Sequence, residues 1–277
     1  MLGLVNTIAE YIDRMPPTLS AHSHRQSWMA GIASQCAVCR SWPAKPVCSD
    51  CMARFMPATA RCTTCALPLP PQLPKMHGLQ QVESLTADLA QPICADCMRQ
   101  AAPLDSALTA VAYTYPWSGL ISRYKFGQQP GWAGFFAGML LATPGVVAAL
   151  AKLTKSDWLI PLPLSAERLE ERGFNQAWEL ASALARQSQT HGRADARMLL
   201  RLRNTVPQSS LRREARLANM RGAFLVDPLR AAELTGRRVV LVDDVMTSGA
   251  TVFAAAEALR SAGAAHITAV VLARTAA

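Results

Sequence analysis

Two kinds of residue are scarce over most of this 277-residue chain. No cysteine occurs after residue 97, so cysteine chemistry is confined to the first part of the sequence. Acidic residues are also few, with 19 aspartates and glutamates against 28 lysines and arginines. The resulting formal charge of +9 favours polyanionic partners such as phosphorylated metabolites or nucleic acid, and it carries no information about the fold.

The start of the chain lacks the pattern of a secretory signal, in which a basic stretch precedes an apolar core and a small-residue cleavage site. We therefore expect a reducing, cytoplasmic location. One uncharged run, residues 131 to 151, has the length of a bilayer span. Because it is rich in Ala and Gly, and because Thr143, Pro144 and Gly145 form a helix stop, we expect two buried or amphipathic pieces and no stable membrane insertion.

The eight cysteines are arranged in CxxC pairs, namely Cys36/Cys39, Cys48/Cys51, Cys62/Cys65 and Cys94/Cys97. A CxxC turn places two thiolates on one Zn²⁺, and two such turns complete a tetrahedral shell. The sequence does not fix which pairs join, but sequential closure needs the least chain crossing and predicts two structural zinc ions in a double zinc ribbon. Disulfides, which suit secreted proteins, and a redox motif, which needs only one pair, fit this pattern poorly.

A strand, two acids, a small-residue loop and a helix follow one another without interruption from residue 239, in VVLVDDVMTSGATVFAAAEALR. The apolar residues predict a buried parallel strand with Asp243 and Asp244 at its carboxyl end. The loop residues that would offer backbone N–H groups and hydroxyls to a phosphate are Thr247, Ser248, Gly249, Ala250 and Thr251. Carboxylates beside an anion site suit sugar hydroxyls, so the order predicts recognition of a ribose 5-phosphate. The alternative, an ordinary capped helix beside solvated aspartates, does not explain the unbroken order.

Strand and helix patterns alternate over the rest of the chain. We expect strands in ALTAVAYTY, DWLIPLP, ARMLL, GAFLV, RRVVLVDD and HITAVVLA, and helices in WSGLISRYKF and NQAWELASALARQ. The predicted fold class is α/β, a mostly parallel sheet with right-handed crossovers behind a small cysteine-rich module.

The expected domains are an extension at 1–34, a double zinc ribbon at 35–104 and an α/β domain at 105–277. The extension contains one amphipathic helix pattern, carried by Leu4, Ile8, Tyr11, Ile12 and Met15. We interpret it as a frayed or partner-docked helix in preference to a membrane anchor.

Two groups of arginines could meet phosphates. Arg168 and Arg172 are four residues apart, so they share one face of a helical turn that Gly173 ends, and they could clamp a diphosphate. Alternatively they pair with neighbouring glutamates on a wet surface, where such pairs contribute little. A further group could neutralise a polyanion or close over the site, although a solvated helix face is the favoured interpretation: Arg201, Arg203, Arg212, Arg213, Arg216 and Arg221.

Residues 239–251 resemble the 5-phosphoribosyl-1-pyrophosphate (PRPP) motif of type I phosphoribosyltransferases. The resemblance implies that Asp243 and Asp244 hold the ribose 2′ and 3′ hydroxyls and that residues 247–251 hold the 5′-phosphate. Purine-salvage members usually have an aspartate where this chain has Thr247. Standard purine salvage is therefore not implied.

Further motifs occur in a fixed order around that run: paired cysteines, YKFG from Tyr124, RLEERGFNQA from Arg168, PQSSLRREARLANMRGAF, and LART from Leu272. From residue 36 to the end this order resembles the ComF competence-protein family. The family implies a double zinc ribbon fused to a phosphoribosyltransferase fold, and some members act in DNA uptake. In this chain Arg40 and Ala66, after the first and third CxxC pairs, replace the usual glycine.

Three functions follow as hypotheses. The first is a phosphoribosyltransferase that binds PRPP with Mg²⁺, in which Arg168 and Arg172 hold the pyrophosphate and Lys125 is a further candidate; its setting would be DNA uptake or nucleotide metabolism, with competence machinery proteins as partners. The second is a module that holds single-stranded DNA, with stacking platforms sought among Trp117, Phe126 and Trp132, although core packing is favoured for each. The third is a regulator that senses PRPP without turnover.

Overall fold

A computed structural model describes residues 34–42, 45–70, 92–202 and 222–276. Two sequence-based predictions concern residues outside these ranges. The amphipathic helix expected in the first 34 residues is one of them. The other is most of the second arginine group, namely Arg203, Arg212, Arg213, Arg216 and Arg221.

The centre of the molecule is a five-stranded parallel sheet with strand order β1-β7-β6-β2-β3. Its strands are β1 (Ser106–Ala112), β2 (Trp158–Pro161), β3 (Arg193–Ala194), β6 (Arg238–Met246) and β7 (His266–Arg274). The central strands are rich in Val, Ile, Leu and Ala because helices cover both faces of the sheet, which leaves their residues almost wholly buried. The predicted mostly parallel α/β sheet is confirmed.

Two predicted strands do not join this sheet. β4 (Leu199–Arg201) and β5 (Phe224–Val226) form a separate antiparallel pair in which Leu200 lies opposite Leu225. The apolar pattern identified both strands correctly, but a short apolar run does not specify its pairing partner.

Helices pack on the two faces of the sheet. Their bounds are α1 Ser49–Phe55, α2 Ala95–Arg99, α3 Trp117–Phe126, α4 Trp132–Leu141, α5 Val146–Ala151, α6 Ala166–Arg172, α7 Gln176–Ser188 and α8 Ala250–Ser261. Side chains of β6 alternate between the faces: Val240 and Val242 pack with α3, α4 and α7, whereas Val239 and Leu241 pack with α8. The alternation places a hydrophobic core on each side of β6.

The long uncharged run is divided as predicted. It forms α4 and α5, which are separated at Gly145, where φ is +86°. The Thr143 hydroxyl donates to the Met139 carbonyl oxygen at 2.9 Å, and Phe136 and Leu140 are fully buried in the core. Among the described residues, no helix combines the length and the apolar character needed to cross a bilayer.

The cysteine-rich segments pack onto opposite faces of the sheet. Cys36 and Cys51 belong to the core that contains α3 and α4, where Trp117 Nε1 donates to the Phe55 carbonyl oxygen at 2.6 Å. Cys62, Cys65 and Cys94 belong to the other core, with α8. Trp117 is therefore a core residue and no stacking platform. Of the other two aromatic candidates, Trp132 stacks on Phe136, whereas Phe126 is 67% exposed.

Candidate functional site

The two acids lie close to the end of β6. The strand continues through Val245 and Met246 because β7 runs beside it and pairs with both. The prediction that the acids occupy the carboxyl end is therefore wrong by two residues. The helix α8 begins at Ala250, after Gly249 with φ of +86°.

Gly249 occupies a tight turn that favours glycine. A Cβ atom there would lie 2.8 Å from Met246 Cε and 3.0 Å from the Phe253 ring. Its positive φ would in addition strain any other residue. The loop can therefore pass closely over the strand end before the backbone N–H groups of α8 begin.

An open cleft of about 250 Å³ lies at this edge of the sheet. It gathers most of the residues that the sequence identified, which are Lys125, Arg168, Arg172, Arg201, Asp243, Asp244, Thr247, Gly249 and Thr251. Two predicted loop residues do not line the cleft. Ala250 is buried at the start of α8, and the Ser248 hydroxyl accepts a hydrogen bond from the Ala250 N–H at 3.4 Å. The cleft thus has a cationic side and an acidic floor.

The acidic pair is buried and unequal. Asp243 and Asp244 are 9% and 2% exposed, and Asp243 Oδ1 accepts the Asp244 backbone N–H at 2.9 Å. Burial, together with the neighbouring Asp244 charge, raises the pKa of Asp243 to about 8 despite the opposing effect of Lys125. The raised pKa favours the protonated form of Asp243 over that of an exposed aspartate.

Lys125 neutralises the second acid. Its Nζ lies 3.1 Å from Asp244 Oδ2, although this oxygen has no partner of good hydrogen-bond geometry among the described residues. We regard the contact as an ion pair, since attraction between charges depends on distance more than on angle. Lys125 reaches the pair from the last turn of α3.

The two arginines extend from α6, as their spacing predicts. Gly173 ends this helix with φ of +74°. Arg172 is half-buried, and its guanidinium lies 5.0 Å from the Phe126 ring centroid. Burial lowers the pKa of Arg172 below its ordinary value, and the nearby Asp244 charge offsets only part of this shift. Its buried Nε lacks an acceptor among the described residues, so an anion in the cleft can supply one.

A second hydrogen-bonded layer supports the cleft and was missed by sequence reasoning. The Tyr124 hydroxyl donates to the Gln176 carbonyl oxygen at 2.6 Å, and burial followed by the Asp244 charge raises the pKa of Tyr124 above its usual range. Asn175 caps α7, accepting the Ala177 N–H at 2.9 Å and donating to the Leu162 carbonyl oxygen at 3.1 Å. The only sequence signals for this layer were the YKFG and GFNQA motifs that contain it.

The cysteines form two groups of four, joined in sequential order as predicted: Cys36, Cys39, Cys48 and Cys51, then Cys62, Cys65, Cys94 and Cys97. Within each group the sulfur atoms all lie within 4.8 Å of one another. The Sγ–Sγ distances of 3.6 Å for Cys39 with Cys48 and for Cys65 with Cys94 are far longer than a disulfide of about 2.05 Å. They are close to the edge of about 3.8 Å expected for a tetrahedron with Zn–S bonds of about 2.3 Å. Both groups could therefore bind zinc.

Backbone donors favour a thiolate at one cysteine of each group, Cys36 and Cys62, whereas burial and neighbouring thiols raise the pKa of Cys51, Cys65 and Cys97. Burial raises the pKa of Cys36, but backbone N–H donors, including those of Cys48 and Val38, outweigh burial and lower it to about 6. Donors of the same kind lower the pKa of Cys62 to about 7, again against burial. Thiolate is the form of cysteine that binds metals. The left-handed conformation usual after CxxC is kept even without glycine, since φ is 65° at Arg40 and 54° at Ala66.

The similarity of this chain to known proteins agrees with the cysteine groups and the cleft described above. Residues 174–277 match the model of the phosphoribosyl transferase domain family. The chain is 33% identical to the DNA utilization protein YhgH of Escherichia coli O6:H1 over 168 residues, which cover 61% of this chain and 71% of that protein. It is 32% identical to competence protein F of Haemophilus influenzae over 151 residues, covering 54% and 65%, and 38% identical to competence protein ComFC of Bacillus subtilis over 105 residues, covering 38% and 39%. The chain therefore belongs to the ComF competence-protein family and carries a phosphoribosyl transferase domain in its carboxyl-terminal part.

Proposed function

We propose that the cleft binds PRPP with Mg²⁺ and that the protein is a phosphoribosyltransferase serving DNA uptake or nucleotide metabolism. The observation that carries the proposal is the convergence of a buried acidic pair, a glycine-dependent loop at a helix start and two arginines on one cleft. The names of the relatives, DNA utilization protein and competence protein, support the biological setting.

In the proposed complex, Asp243 and Asp244 receive the ribose 2′ and 3′ hydroxyls. Carboxylate oxygens are the natural acceptors for vicinal hydroxyls and the natural ligands of Mg²⁺. Because burial raises the pKa of Asp243, binding of a cation or of hydroxyl donors would favour its ionised form. Lys125 would then leave Asp244 and become available to a phosphate.

The 5′-phosphate would lie at the start of α8. This helix has 12 residues, so its first N–H groups and its dipole favour an anion. Thr247 and Thr251 line the cleft with hydroxyls. The backbone N–H groups of Ser248 and Gly249 would add donors, and that of Ala250 would do so on leaving the Ser248 hydroxyl. Gly249 lets this backbone approach the ligand closely.

Arg168 and Arg172 would hold the pyrophosphate. In the transfer, a nucleophile attacks the anomeric carbon while the bond to the pyrophosphate oxygen breaks and its electron pair leaves with that oxygen. The arginines stabilise the charge that develops there, which is the largest contribution expected from such a site. Bound Mg²⁺ would supply further charge neutralisation on the diphosphate.

Pyrophosphate release tests this reaction directly. PRPP, Mg²⁺ and a panel of nitrogenous acceptors are incubated with the full chain and with Arg172→Lys, which keeps the charge but loses the fork geometry. We expect release with at least one acceptor, and a slower rate in the variant. Tight PRPP binding without release against any acceptor would instead favour a regulator that senses PRPP.

Single-stranded DNA is the second candidate ligand. Phe126 is exposed and lies beside Arg172, which lines the cleft, so a base could stack on its ring. The chain also carries a charge of +9. Binding that neutralises several phosphates weakens steeply with ionic strength, whereas a single-PRPP pocket requires Mg²⁺. A salt titration with an oligonucleotide, repeated with Asp243→Ala/Asp244→Ala, separates the two ligands because the acids should matter only for PRPP.

We also propose one structural zinc ion in each cysteine group. Four thiolates leave no open coordination position, so neither ion would take part in chemistry. Residues 35–104 would then form the zinc ribbon module and residues 105–277 the phosphoribosyltransferase domain, after the extension at 1–34. Eight reduced thiols fit a cytoplasmic location, with competence machinery proteins as proposed partners.

A further inference from the structure

One buried arginine joins the second cysteine group to the candidate phosphate loop. Arg274, the last residue of β7, is 4% exposed. Its Nε donates to the Cys65 carbonyl oxygen at 3.1 Å. Its Nη1 donates to the Met246 carbonyl oxygen at 3.2 Å and also to the Thr247 carbonyl oxygen. A single guanidinium therefore contacts a candidate metal-ligand residue, the last residue of β6 and the first residue of the loop.

The geometry of these contacts fixes the loop backbone. In a trans peptide the C=O and N–H groups point in opposite directions. Carbonyl groups of Met246 and Thr247 that face Arg274 therefore turn the N–H groups of Thr247 and Ser248 away from it. Because a guanidinium is planar and rigid, it also fixes the position of these carbonyls relative to that of Cys65. The same orientation leaves the N–H groups available to an anion.

The second cysteine group is anchored to the sheet at the same place. The Ala107 N–H at the start of β1 donates to the Thr63 carbonyl oxygen at 2.7 Å. Cys62 and Cys65 share one buried core with Met246 and Ala250, at the two ends of the loop. The first cysteine group packs in the other core and makes no such link among the described residues.

Charge gives a second reason to connect the metal and the arginine. Arg61 donates to the Ala66 carbonyl oxygen at 3.1 Å, directly after the CxxC turn whose Cys65 carbonyl oxygen accepts from Arg274. Two guanidiniums are thus held near each other beside the second cysteine group. A Zn²⁺ ion with four thiolates carries a double negative charge, which these two cations would balance.

We propose that Arg274 is a positioning residue that couples metal occupancy of the second cysteine group to the conformation of residues 247–251. With metal bound, the Cys65 carbonyl is fixed, Arg274 is fixed by it, and the loop holds its N–H groups in place for a phosphate. Loss of the metal frees Arg274 and loosens the loop. The coupling of metal to loop stands on the contacts above, and its consequence for ligand affinity rests on the proposed phosphoribosyl site.

Hydrogen exchange tests the coupling without any ligand. The zinc-loaded full chain is compared with Arg274→Met, Cys97→Ser and the double variant, and exchange is followed at the loop amides 247–251. The proposal predicts faster exchange in each single variant, by roughly 5- to 150-fold as for typical coupled sites, and no further increase in the double variant. Exchange at the amides of Val240 to Val242 in β6 shows whether the whole domain stays folded. Arg274→Lys serves as the milder variant if Arg274→Met does not fold.

The matched control is Cys39→Ser, which disturbs the first cysteine group on the opposite face and should leave loop exchange unchanged. Additive effects of Arg274→Met and Cys97→Ser, or unchanged loop exchange in either, would overturn the inference.

A parallel titration with ribose 5-phosphate tests the consequence for ligand affinity. Reciprocity requires bound ligand to raise the equilibrium zinc affinity of the second group in the wild type but not in Arg274→Met. If the wild type does not bind ribose 5-phosphate, the proposed function fails while the exchange result still decides the coupling.

Discussion

The Lys125 ammonium lies 3.1 Å from Asp244 Oδ2, and this ion pair connects the last turn of α3 to the centre of the sheet. The side chains are 17% and 3% exposed, so water screens the pair only weakly. In the free cleft Lys125 occupies the position that a cation or a hydroxyl donor would take beside Asp244. The relationship gives the YKFG motif a physical role, since it delivers both this lysine and the Tyr124 hydroxyl to the site.

Removing this lysine should destabilise the protein. Lys125→Met leaves Asp244 as a buried charge without its partner, and the expected loss in unfolding free energy is about 2 to 3 kcal/mol after allowance for partial exposure. Urea unfolding measures the loss. Lys152→Met, at an exposed lysine, should change stability by less than about 0.5 kcal/mol. Equal effects of the two substitutions would contradict the assigned ion pair, as would a failure of Asp244→Asn to restore stability in the Lys125→Met background.

The raised pKa of Asp243 predicts a dependence of stability on pH. In the unfolded chain this acid loses its proton near pH 4, whereas the folded protein keeps it up to about pH 8. Between these values the unfolded state binds fewer protons, so this residue lowers the unfolding free energy as pH rises, by up to about 1.4 kcal/mol per pH unit.

The comparison with Asp243→Asn isolates this effect. The stability of the variant relative to the wild type should increase from pH 5 to pH 8 and become constant above pH 8. Urea unfolding at pH 5, 6, 7, 8 and 9 provides the data. A constant difference over this range would show that Asp243 is ionised in the folded protein throughout.

The left-handed residue after the first CxxC predicts a stabilising substitution. Arg40 is exposed and has φ of 65°, a conformation that costs a non-glycine residue about 1 to 2 kcal/mol. Arg40→Gly removes this strain, and after the entropy of glycine in the unfolded chain is subtracted the expected gain is about 0.5 to 1 kcal/mol. Competition with a chelator measures the zinc affinity of the first cysteine group, which should rise by the same free energy.

Arg40→Ala is the matched control because it removes the charge but keeps the Cβ atom. It should hold zinc no more tightly than the wild type. Ala66→Gly should raise zinc affinity less than Arg40→Gly does. The Ala66 methyl group is fully buried, so its removal offsets the relief of backbone strain. A gain in Arg40→Ala equal to that in Arg40→Gly would assign the effect to charge.

Metal analysis should find two zinc ions per chain, one for each cysteine group. Cys39→Ser and Cys97→Ser should each reduce the content toward one, because each disrupts a different group. Removal of both zinc ions by a chelator should unfold the cysteine-rich segments, whereas the five-stranded sheet should stay folded. A wild-type protein that contains no zinc after purification without chelators would contradict the assignment.

Local patterns predicted the parts of the fold that depend on residues close in sequence. The apolar run from Val239 to Val242 identified β6, and the four-residue spacing of Arg168 and Arg172 with Gly173 identified α6. The cysteine spacing gave both groups, since sequential closure is the topologically simplest pairing. In each case the signal and the structure extend over the same short segment.

Contacts between distant segments could not be derived in this way. Nothing in the sequence around Arg274 indicates that its guanidinium reaches Cys65 and Thr247, because those contacts exist only after β7 has paired with β6. The antiparallel pairing of β4 with β5 and the extension of β6 past Asp244 also depend on a neighbouring strand. Such features require the sheet order, which periodicity does not encode.

A calorimetric titration with PRPP in the presence and absence of Mg²⁺ tests the central claim most directly. The proteins compared are the wild type, Asp243→Asn/Asp244→Asn, and Glu257→Gln as a control at an exposed acid on α8. We expect Mg²⁺-dependent binding to the wild type and to Glu257→Gln, and an affinity lower by about 100-fold or more in the double variant, which loses two charge-assisted hydrogen bonds. Equal PRPP affinity in the double variant and the wild type would contradict the account.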